Sequence, residues 1–281
     1  MSKVVVVGAG TMGSGIAHLF ALRGWTTTLA DVAPAALERA LGSIRSNLER
    51  QVKKGTIGSE DQTAALGRLT TAADLQAARQ ADLVVEAATE NPDLKFKIFR
   101  DLDAIAAPAV ILATNTSSIS VTAIAAQTKR APRVIGMHFM NPAPIMQLVE
   151  VVRGLETSDE TVRTVMAVSA QLGKTPVEVR DAPGFVSNRV LMPMINEAVF
   201  CVMEGVASAE SVDTVMKLGM NHPLGPLALA DLFGLDVCLA ILEVLHHDLG
   251  DDKYRPAPLL RQLVAAGHLG KKSGRGFHVY S

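Results

Sequence analysis

The sequence predicts an α/β fold in which a parallel-stranded domain is followed by a smaller all-helical domain. Short apolar runs alternate with amphipathic helical stretches up to about residue 180, which is typical of strands joined by crossover helices. Beyond Gly184 only helical patterns remain. Pro183 and Gly184 interrupt the chain between the two regions, so we predict domains at 1–183 and 184–281.

The first strand of the chain carries a glycine-rich turn. Four consecutive valines, residues 4–7, predict a strand buried on both faces, and the glycines after them form a G-x-G-x-x-G motif. In such a motif the first glycine permits the tight turn, the second lets a pyrophosphate approach, and the third lets the next helix pack closely. The turn therefore predicts a Rossmann-type dinucleotide-binding domain, with a phosphate site formed by Gly8, Ala9, Gly10, Thr11, Met12 and Gly13.

An acidic residue follows the second predicted strand. Asp31 comes directly after Thr26–Ala30, where a carboxylate accepts hydrogen bonds from the ribose hydroxyls of a bound dinucleotide. The same carboxylate would repel a 2′-phosphate, so NAD is favoured over NADP. The alternative is an ordinary strand–turn–helix unit without a ligand, but the position of Asp31 argues for the cofactor.

Composition narrows the class of protein. The chain has 281 residues, of which 48% are hydrophobic, enough for the cores of two domains. With 27 basic and 28 acidic residues its net charge is −1, so we expect neither nucleic acid nor a membrane as a partner. Cys201 and Cys238 lie in apolar helical patterns and predict free thiols. We find no leader or membrane span and predict a cytoplasmic protein.

Polar side chains follow two further predicted strands. Glu90 and Lys95 come after the strand at 81–87, and Asn115 and Ser117 come after the strand at 110–113. Open parallel sheets bind ligands along the edge where strands end, so we expect these residues to meet cofactor or substrate. Each could instead be a turn or cap residue, and Ser117 and Ser118 could cap a helix predicted at 119–127.

One histidine is placed to act as a general base. Of the seven histidines, only His138 follows a core strand at the predicted ligand edge. Glu150 interrupts an otherwise apolar strand twelve positions later, and a hairpin turning at 141–144 would bring the two together. A carboxylate bonded to one imidazole nitrogen fixes the tautomer and stabilises the protonated ring. The alternative is a structural histidine beside an unrelated glutamate.

Several other polar residues could contact the substrate or the cofactor. Ser117 and Asn188 are neutral donors suited to a substrate oxygen that gains and loses negative charge. Lys53 and Lys54 end a long helix and would either complement its dipole or meet a phosphorylated substrate handle. Lys271 and Lys272 belong either to a solvated tail or to a loop folded over the cofactor. No cluster has metal-ligand spacing, so we predict no metal site.

The chain as a whole resembles the short-chain L-3-hydroxyacyl-CoA dehydrogenases, in particular the bacterial 3-hydroxybutyryl-CoA dehydrogenases. The resemblance covers nearly the whole chain and is specific because the motifs occur together and in order. The matching blocks are V-G-A-G-T-M-G at 7–13, V-V-E-A at 84–87, T-N-T-S-S at 114–118, G-M-H-F-M-N-P at 136–142, L-V-E-V-V at 148–152, P-G-F-V-S-N-R at 183–189, L-G-P at 224–226 and G-K-K-S-G-R-G-F at 270–277.

The resemblance implies roles for individual residues. It implies that His138 is the catalytic base with Glu150 as its partner, and that Ser117 and Asn188 bind substrate. It implies cofactor contacts from Asp31, Glu90, Lys95, Asn141 and Lys271. It also implies that Lys54 meets the CoA phosphates. Asn47 stands where some members have a CoA-contacting serine, so that contact differs in this chain.

The expected activity is reversible oxidation of (S)-3-hydroxybutyryl-CoA to acetoacetyl-CoA with NAD, in fatty-acid oxidation or butanoate metabolism. The long apolar helix predicted at 186–203 further suggests a homodimer. One alternative is a dehydrogenase of a 3-hydroxy acid without CoA, but such enzymes carry a lysine four residues before a comparable asparagine, where this chain has Gly184. The other alternative is a non-catalytic, crystallin-like relative.

Overall fold

The structure is a computed structural model that describes residues 2–280. It divides into two compact units between Asp181 and Ala182, and each is described by itself. None of the helices that residues 2–280 form is long and apolar enough to cross a membrane.

The first unit is built on one eight-stranded sheet. Its strand order is β3-β2-β1-β4-β5-β6-β7-β8, and all neighbouring strands are parallel except β6 and β7. Strands β6 and β7 form the predicted antiparallel hairpin. The strands are β1 (Lys3–Val7), β2 (Thr26–Ala30), β3 (Leu69–Ala72), β4 (Leu83–Glu86), β5 (Ile111–Thr114), β6 (Val134–Phe139), β7 (Leu148–Arg153) and β8 (Thr175–Arg180).

Helices cover both faces of this sheet, which explains the valine run. Val4 and Val6 belong to the apolar cluster on one face, and Val5 and Val7 to the cluster on the other. Side chains alternate along a strand, so a strand between two helical layers needs apolar residues at every position. The helices are α1 (Thr11–Leu22), α2 (Pro34–Lys53), α3 (Ser59–Gly67), α4 (Pro92–Ile105), α5 (Val121–Ala125) and α6 (Asp159–Gln171), with 3₁₀ turns at Gln76–Gln80 and Ala131–Arg133.

The second unit is helical, as predicted. Its core contains Leu235, Leu242 and Cys238, all fully buried. Burial raises the pKa of the Cys238 thiol to about 12, so this thiol stays protonated and unreactive. The helices are α7 (Ser187–Met203), α8 (Ala209–Gly219), α9 (Pro226–Phe233), α10 (Leu235–Leu249) and α11 (Pro258–Ala265), with 3₁₀ turns at Asp252–Tyr254 and Lys271–Ser273.

The C-terminal tail is bound to this helical unit. Asp231, 1% exposed in α9, accepts hydrogen bonds from the backbone N–H groups of Phe277 and His278 and from the Tyr280 hydroxyl. The Lys271 ammonium lies 5.6 Å from the centre of the Tyr280 ring, and Lys272 forms an ion pair with Asp236. The tail is therefore ordered by buried carboxylate–backbone contacts.

The helix predicted at 119–127 is shorter than predicted. Helix α5 covers only residues 121–125, and its N-cap is Ser120, whose hydroxyl accepts a hydrogen bond from the Ala123 N–H. Ser120 also donates to Asp181 Oδ2, which accepts the Thr122 N–H as well. The alternative role of Ser117 and Ser118 as caps of this helix is therefore wrong, because a carboxylate about 60 positions away fixes the helix start.

Candidate active site

The glycine-rich turn has the geometry that a bound dinucleotide needs. Gly8 has φ +103°, and a Cβ there would lie 2.7 Å from the Ala87 carbonyl oxygen. At Gly13 a Cβ would lie 1.7 Å from the Gly8 carbonyl oxygen, so only glycine lets α1 approach the strand. A Cβ on Gly10 would meet nothing within 4 Å, which leaves that side of the turn open to a pyrophosphate at the α1 N-terminus. The residues present therefore fit the cofactor.

Asp31 links the second strand to this turn. Its Oδ2 accepts the Ala9 N–H at 2.7 Å, and its Oδ1 accepts the Ala33 N–H at 2.9 Å. These bonds hold the carboxylate at the carboxyl end of β2, beside the glycine turn. Each carboxylate oxygen retains a second acceptor position that a ribose hydroxyl can use.

His138 and Glu150 form a buried pair on adjacent strands. They are directly opposite in the β6–β7 register, and His138 Nδ1 lies 2.8 Å from Glu150 Oε2. Their side chains are 10% and 3% exposed. Directly opposite residues of an antiparallel pair point to the same face of the sheet. The twelve-residue spacing across a hairpin therefore produces the contact that the sequence suggested.

A glycine next to this pair lets the surrounding elements pack closely. Gly136 lies two residues before His138 and shares its face of β6. A Cβ there would lie 2.6 Å from Val152 Cβ and 3.1 Å from Val121 Cγ2 of α5. The glycine lets α5 and β7 pack closely against β6 next to the imidazole, which fixes the strand geometry around the His–Glu pair.

Glu90 organises the turn that carries Ser117. Its Oε1 accepts hydrogen bonds from the Thr116 hydroxyl at 2.5 Å and from the N–H groups of Ser117 at 2.9 Å and Ser118 at 3.0 Å. Burial would raise the pKa of Glu90, but the nearby Lys95 ammonium and these hydrogen bonds outweigh it and lower the pKa overall. Glu90 is therefore a carboxylate at neutral pH, with Ser117 held against it.

Lys95 lies beneath this turn with a second carboxylate. It is 1% exposed, and its ammonium lies 2.6 Å from Glu86 Oε1 and 3.5 Å from Glu90 Oε2. Glu86 is fully buried and also accepts the Thr114 hydroxyl and the Ala88 N–H, each at 2.7 Å. One buried network thus connects the ends of β4 and β5 to the first turn of α4.

Asn115 ties the end of β5 to the end of β6. Its Oδ1 accepts the Phe139 N–H at 2.9 Å, one residue beyond His138. Asn141 begins the exposed turn that follows β6, and the Asn141–Pro142 peptide bond is cis. Glu90, Lys95, Asn115, Ser117 and His138 therefore all lie at the carboxyl ends of β4, β5 and β6, the edge that the sequence predicted.

Both units match domains of one protein family. Residues 3–182 match the NAD-binding domain of 3-hydroxyacyl-CoA dehydrogenase, and residues 184–280 match the C-terminal domain of the same enzymes. The chain belongs to the 3-hydroxyacyl-CoA dehydrogenase family. The fold and the NAD-binding domain predicted from the sequence are those of this family.

The similar proteins include several 3-hydroxybutyryl-CoA dehydrogenases. A probable 3-hydroxybutyryl-CoA dehydrogenase of Bacillus subtilis is 56% identical over 100% of this chain and 98% of its own. A 3-hydroxybutyryl-CoA dehydrogenase of Bradyrhizobium diazoefficiens is 49% identical over 100% and 96%. The crystal structure of (S)-3-hydroxybutyryl-CoA dehydrogenase from Ralstonia eutropha is 53% identical, with a TM-score of 0.97 over 100% of this chain and 99% of that chain.

Two predicted site residues of this 3-hydroxyacyl-CoA dehydrogenase family member belong to the second unit. Asn188 lies in the first turn of α7, and its N–H donates to the Gly184 carbonyl at 3.1 Å. Lys271 lies in the bound tail, above the Tyr280 ring. Both residues thus occupy ordered positions within their unit, and their roles toward substrate and cofactor stay predictions.

Two other predicted residues lie on α2 of the first unit. Asn47 is half-buried, and Lys54 is exposed at the C-cap of the helix. Arg50, one turn after Asn47, donates to Asn47 Oδ1 at 3.1 Å. Residues three and four apart share a helix face, so Asn47, Arg50 and Lys54 present one polar, basic surface.

Two polar residues of this region were not predicted from the sequence. Glu86 interrupts an apolar strand just as Glu150 does, and that signal would have identified it. Thr116 accepts hydrogen bonds from the Ser118 and Ile119 N–H groups and donates to Glu90, a role that needs the folded turn. Among residues 2–280, no three His, Cys, Asp or Glu side chains are arranged to hold a metal ion.

Proposed function

We propose that the protein catalyses the reversible, NAD-dependent oxidation of (S)-3-hydroxybutyryl-CoA to acetoacetyl-CoA. The observation that carries the proposal is the His138–Glu150 pair, which lies at the carboxyl edge of a sheet whose first turn fits a dinucleotide. The names of the similar proteins, which are 3-hydroxybutyryl-CoA dehydrogenases, support the choice of substrate.

His138 is the general base in this proposal. With Nδ1 bonded to Glu150, Nε2 takes the proton from the C3 hydroxyl as the C–H bond breaks. The protonated ring then carries a positive charge, which the buried Glu150 carboxylate stabilises at 2.8 Å. In the reverse direction the same imidazolium returns the proton to the forming alkoxide.

Neutral donors are assigned to the substrate oxygens. Ser117 and Asn188 would bind the substrate oxygens. Neutral donors can stabilise the developing negative charge without trapping an alkoxide. The Ser117 hydroxyl lies 3.4 Å from Glu90 Oε1 and its N–H lies closer, so Glu90 sets the position of this serine.

The cofactor would be held by the predicted edge residues. The glycine turn would hold the pyrophosphate and Asp31 the adenosine ribose, while Glu90, Lys95, Asn115, Asn141 and Lys271 would surround the nicotinamide half. Bound NAD supplies the acceptor for the hydride that leaves C3 of the substrate. Asp31 disfavours a 2′-phosphate because its carboxylate carries negative charge at the ribose position.

The CoA moiety of the substrate would lie along α2. Lys54 is exposed at the C-cap of α2 and would meet the CoA phosphates. Asn47 would add a hydrogen bond from the same face. This surface distinguishes a CoA ester from a free 3-hydroxy acid, which carries no phosphates.

The alternative dehydrogenase of a free 3-hydroxy acid conflicts with the geometry at Gly184. This residue has φ +74°, and a Cβ there would lie 2.7 Å from Leu245 Cδ2. The lysine that such enzymes carry at this position would be strained and would collide with α10. A non-catalytic role is disfavoured because His138 and Glu150 form a buried pair at the carboxyl edge of the sheet.

Assembly as a homodimer in the cytoplasm completes the proposal. The helical unit exposes many large apolar side chains, a pattern that marks an interaction surface. They include Val190, Met203, Val206, Val215, Leu218, Met220, Leu232, Phe233 and Val237. We place the reaction in fatty-acid or butanoate metabolism, which supplies short 3-hydroxyacyl-CoA esters.

A steady-state assay of NADH formation tests the function. The substrates are (S)-3-hydroxybutyryl-CoA, its longer acyl homologues and free (S)-3-hydroxybutyrate, each with NAD and with NADP. We expect kcat/KM to be highest for the four-carbon CoA ester with NAD, and at least about 100-fold lower for the free acid, because the handle contacts are lost. Equal rates on the free acid, or no turnover of any CoA ester, would overturn the proposal.

A further inference from the structure

A buried lysine far from the His–Glu pair in sequence binds the turn that follows the His138 strand. Lys174 is 8% exposed, and its ammonium donates to the carbonyl oxygens of Ala143 and Met146, both at 2.7 Å. Lys174 lies between α6 and β8, where Gly173 has φ +77° and Thr175 N–H donates to the Gln147 carbonyl. These contacts attach the turn at 142–146 to the far edge of the sheet.

This turn also packs against the dinucleotide-binding helix. A Cβ on Gly15 of α1 would lie 3.2 Å from Pro144 Cδ and 3.4 Å from Ala143 Cβ. Ala143 is 2% exposed, so its carbonyl has little access to water. The turn therefore lies between Lys174 on one side and the first turns of α1 on the other.

The Lys174 ammonium is held by carbonyl oxygens rather than by a carboxylate. Within residues 2–280, no acidic side chain forms an ion pair with it. Burial, together with repulsion from Arg23, lowers the pKa of Lys174. A buried cation without a counter-ion costs stability, so its retention here points to a contact that the fold needs at this turn.

We propose that Lys174 is a positioning residue of the dinucleotide site, which fixes the 142–146 turn against α1 through the carbonyls of Ala143 and Met146. When the ammonium is removed, two carbonyls lose their donor and the turn moves away from the helix N-terminus that receives the pyrophosphate. This inference rests on the proposed function, since it concerns the NAD that the reaction uses.

The test replaces Lys174 with methionine, which keeps an unbranched apolar side chain at this buried position and removes the donor. The matched control is Arg130→Met. Arg130 also donates to backbone carbonyls, those of Asp103, Ala106 and Ala107, but at the opposite, amino-terminal edge of the sheet. For both variants we measure the Kd of NADH by fluorescence titration, the KM for NAD, the KM for (S)-3-hydroxybutyryl-CoA, and the urea midpoint.

Both variants should lose stability, but only Lys174→Met should lose cofactor affinity. We expect the NADH Kd and the KM for NAD to rise about tenfold in Lys174→Met and less than about twofold in Arg130→Met. The KM for the CoA ester should stay within about twofold in both. An NADH Kd for folded Lys174→Met within about twofold of the wild type would overturn the inference.

A second variant covers the case in which Lys174→Met does not fold. Gly15→Ala places a methyl group against Pro144 and pushes the same turn from the other side, whereas the control Gly42→Ala adds a methyl group to α2 where nothing lies within 4 Å. The NADH Kd should rise at least about threefold only in Gly15→Ala, and equal Kd values in the two variants would refute the proposal. NADH binding is measured without substrate, so a wild type that binds NADH but oxidises no CoA ester would refute the proposed function alone.

Discussion

At the scale of single residues, the site depends on a carboxylate directly across a strand pair from an imidazole. The contact between His138 and Glu150 is buried, so its charge interaction is little screened by water. A hydrogen bond from Nδ1 fixes the ring orientation, and the carboxylate places a negative charge beside the ring. The effect of Glu150 on ring orientation can be separated from the effect of its charge, because a glutamine at this position accepts the same hydrogen bond without carrying a charge.

Glu150→Gln should therefore keep the fold and lose turnover. We expect kcat to fall about 100-fold, as removal of one partner in an acid–base pair typically does, while the NADH Kd changes little. The control is Glu178→Gln on the neighbouring strand β8, where the carboxylate is exposed and paired with Arg153. Steady-state kinetics and NADH titration measure both. Equal kcat values for the two variants would remove Glu150 from the mechanism.

A second residue-scale prediction concerns stability and pH. His18 is 1% exposed in α1, and burial, only partly offset by Gln51, lowers its pKa from 6.5 to about 4. The unfolded chain binds a proton at His18 below about pH 6.5, but the folded chain does not until about pH 4. The free energy of unfolding should therefore fall by up to about 3 kcal/mol as the pH drops through this window.

Urea unfolding from pH 7.5 to pH 4.5 at fixed protein concentration measures this effect. His18→Gln should reduce the pH dependence, and the control His247→Gln should not, because the His247 side chain is 88% exposed. An unchanged slope in His18→Gln would show that His18 takes up its proton equally well in the folded state.

At the scale of secondary-structure elements, a buried ion pair fixes the carboxyl ends of β4 and β5 and the start of α4. Glu86 binds Lys95, the Thr114 hydroxyl and the Ala88 N–H, and it is fully buried. The loops at 88–90 and 115–118 carry Glu90 and Ser117, so their position depends on this network. Removal of either charge leaves the other one buried with a weaker partner.

Glu86→Gln should lower the free energy of unfolding by about 3 kcal/mol, because the Lys95 charge is left without its nearest partner. The double variant with Lys95→Met should cost less than the sum of the two single variants. Asp103→Asn, which breaks the Arg130 pair at the opposite edge of the sheet, provides the comparison. Strictly additive losses in a double-mutant cycle by urea unfolding would show that Glu86 and Lys95 do not act as a pair.

The sequence predicted those elements that depend on residues close together in the chain. The valine run, the glycine spacing and Pro183–Gly184 predicted the first strand, the dinucleotide turn and the start of the helical pattern. The predicted start of α5 was wrong because Asp181, far along the chain, helps to set where that helix begins. The hairpin spacing predicted the His138–Glu150 contact, but the carbonyl partners of Lys174 lie 28 and 31 positions away and left no pattern to detect.

For the complete chain, the main question is whether it forms a dimer. Helix α8 of the second unit leaves Val215 and Leu218 exposed. These two residues are three apart and share a helix face. Leu218 is 82% exposed, a large apolar area for a monomer to present to water.

Sedimentation velocity should accordingly give a dimer for the wild type. Val215→Lys with Leu218→Lys should shift the protein toward monomer, since two charges would be buried in the contact. The control is Leu155→Lys. Leu155 lies in the first unit and is 81% exposed, about as much as Leu218, and this variant should remain a dimer. A monomeric wild type, or a dimer unaffected by the two lysines on α8, would contradict the proposed interface.

The central claim is that the His138 imidazole, held by Glu150, removes the substrate proton. The most direct measurement is kcat for (S)-3-hydroxybutyryl-CoA in His138→Asn, taken together with the NADH Kd of the same protein. We expect a loss of about 1,000-fold or more in kcat with an NADH Kd within about twofold of the wild type. A His138→Asn protein that turns over within about tenfold of the wild type would contradict it.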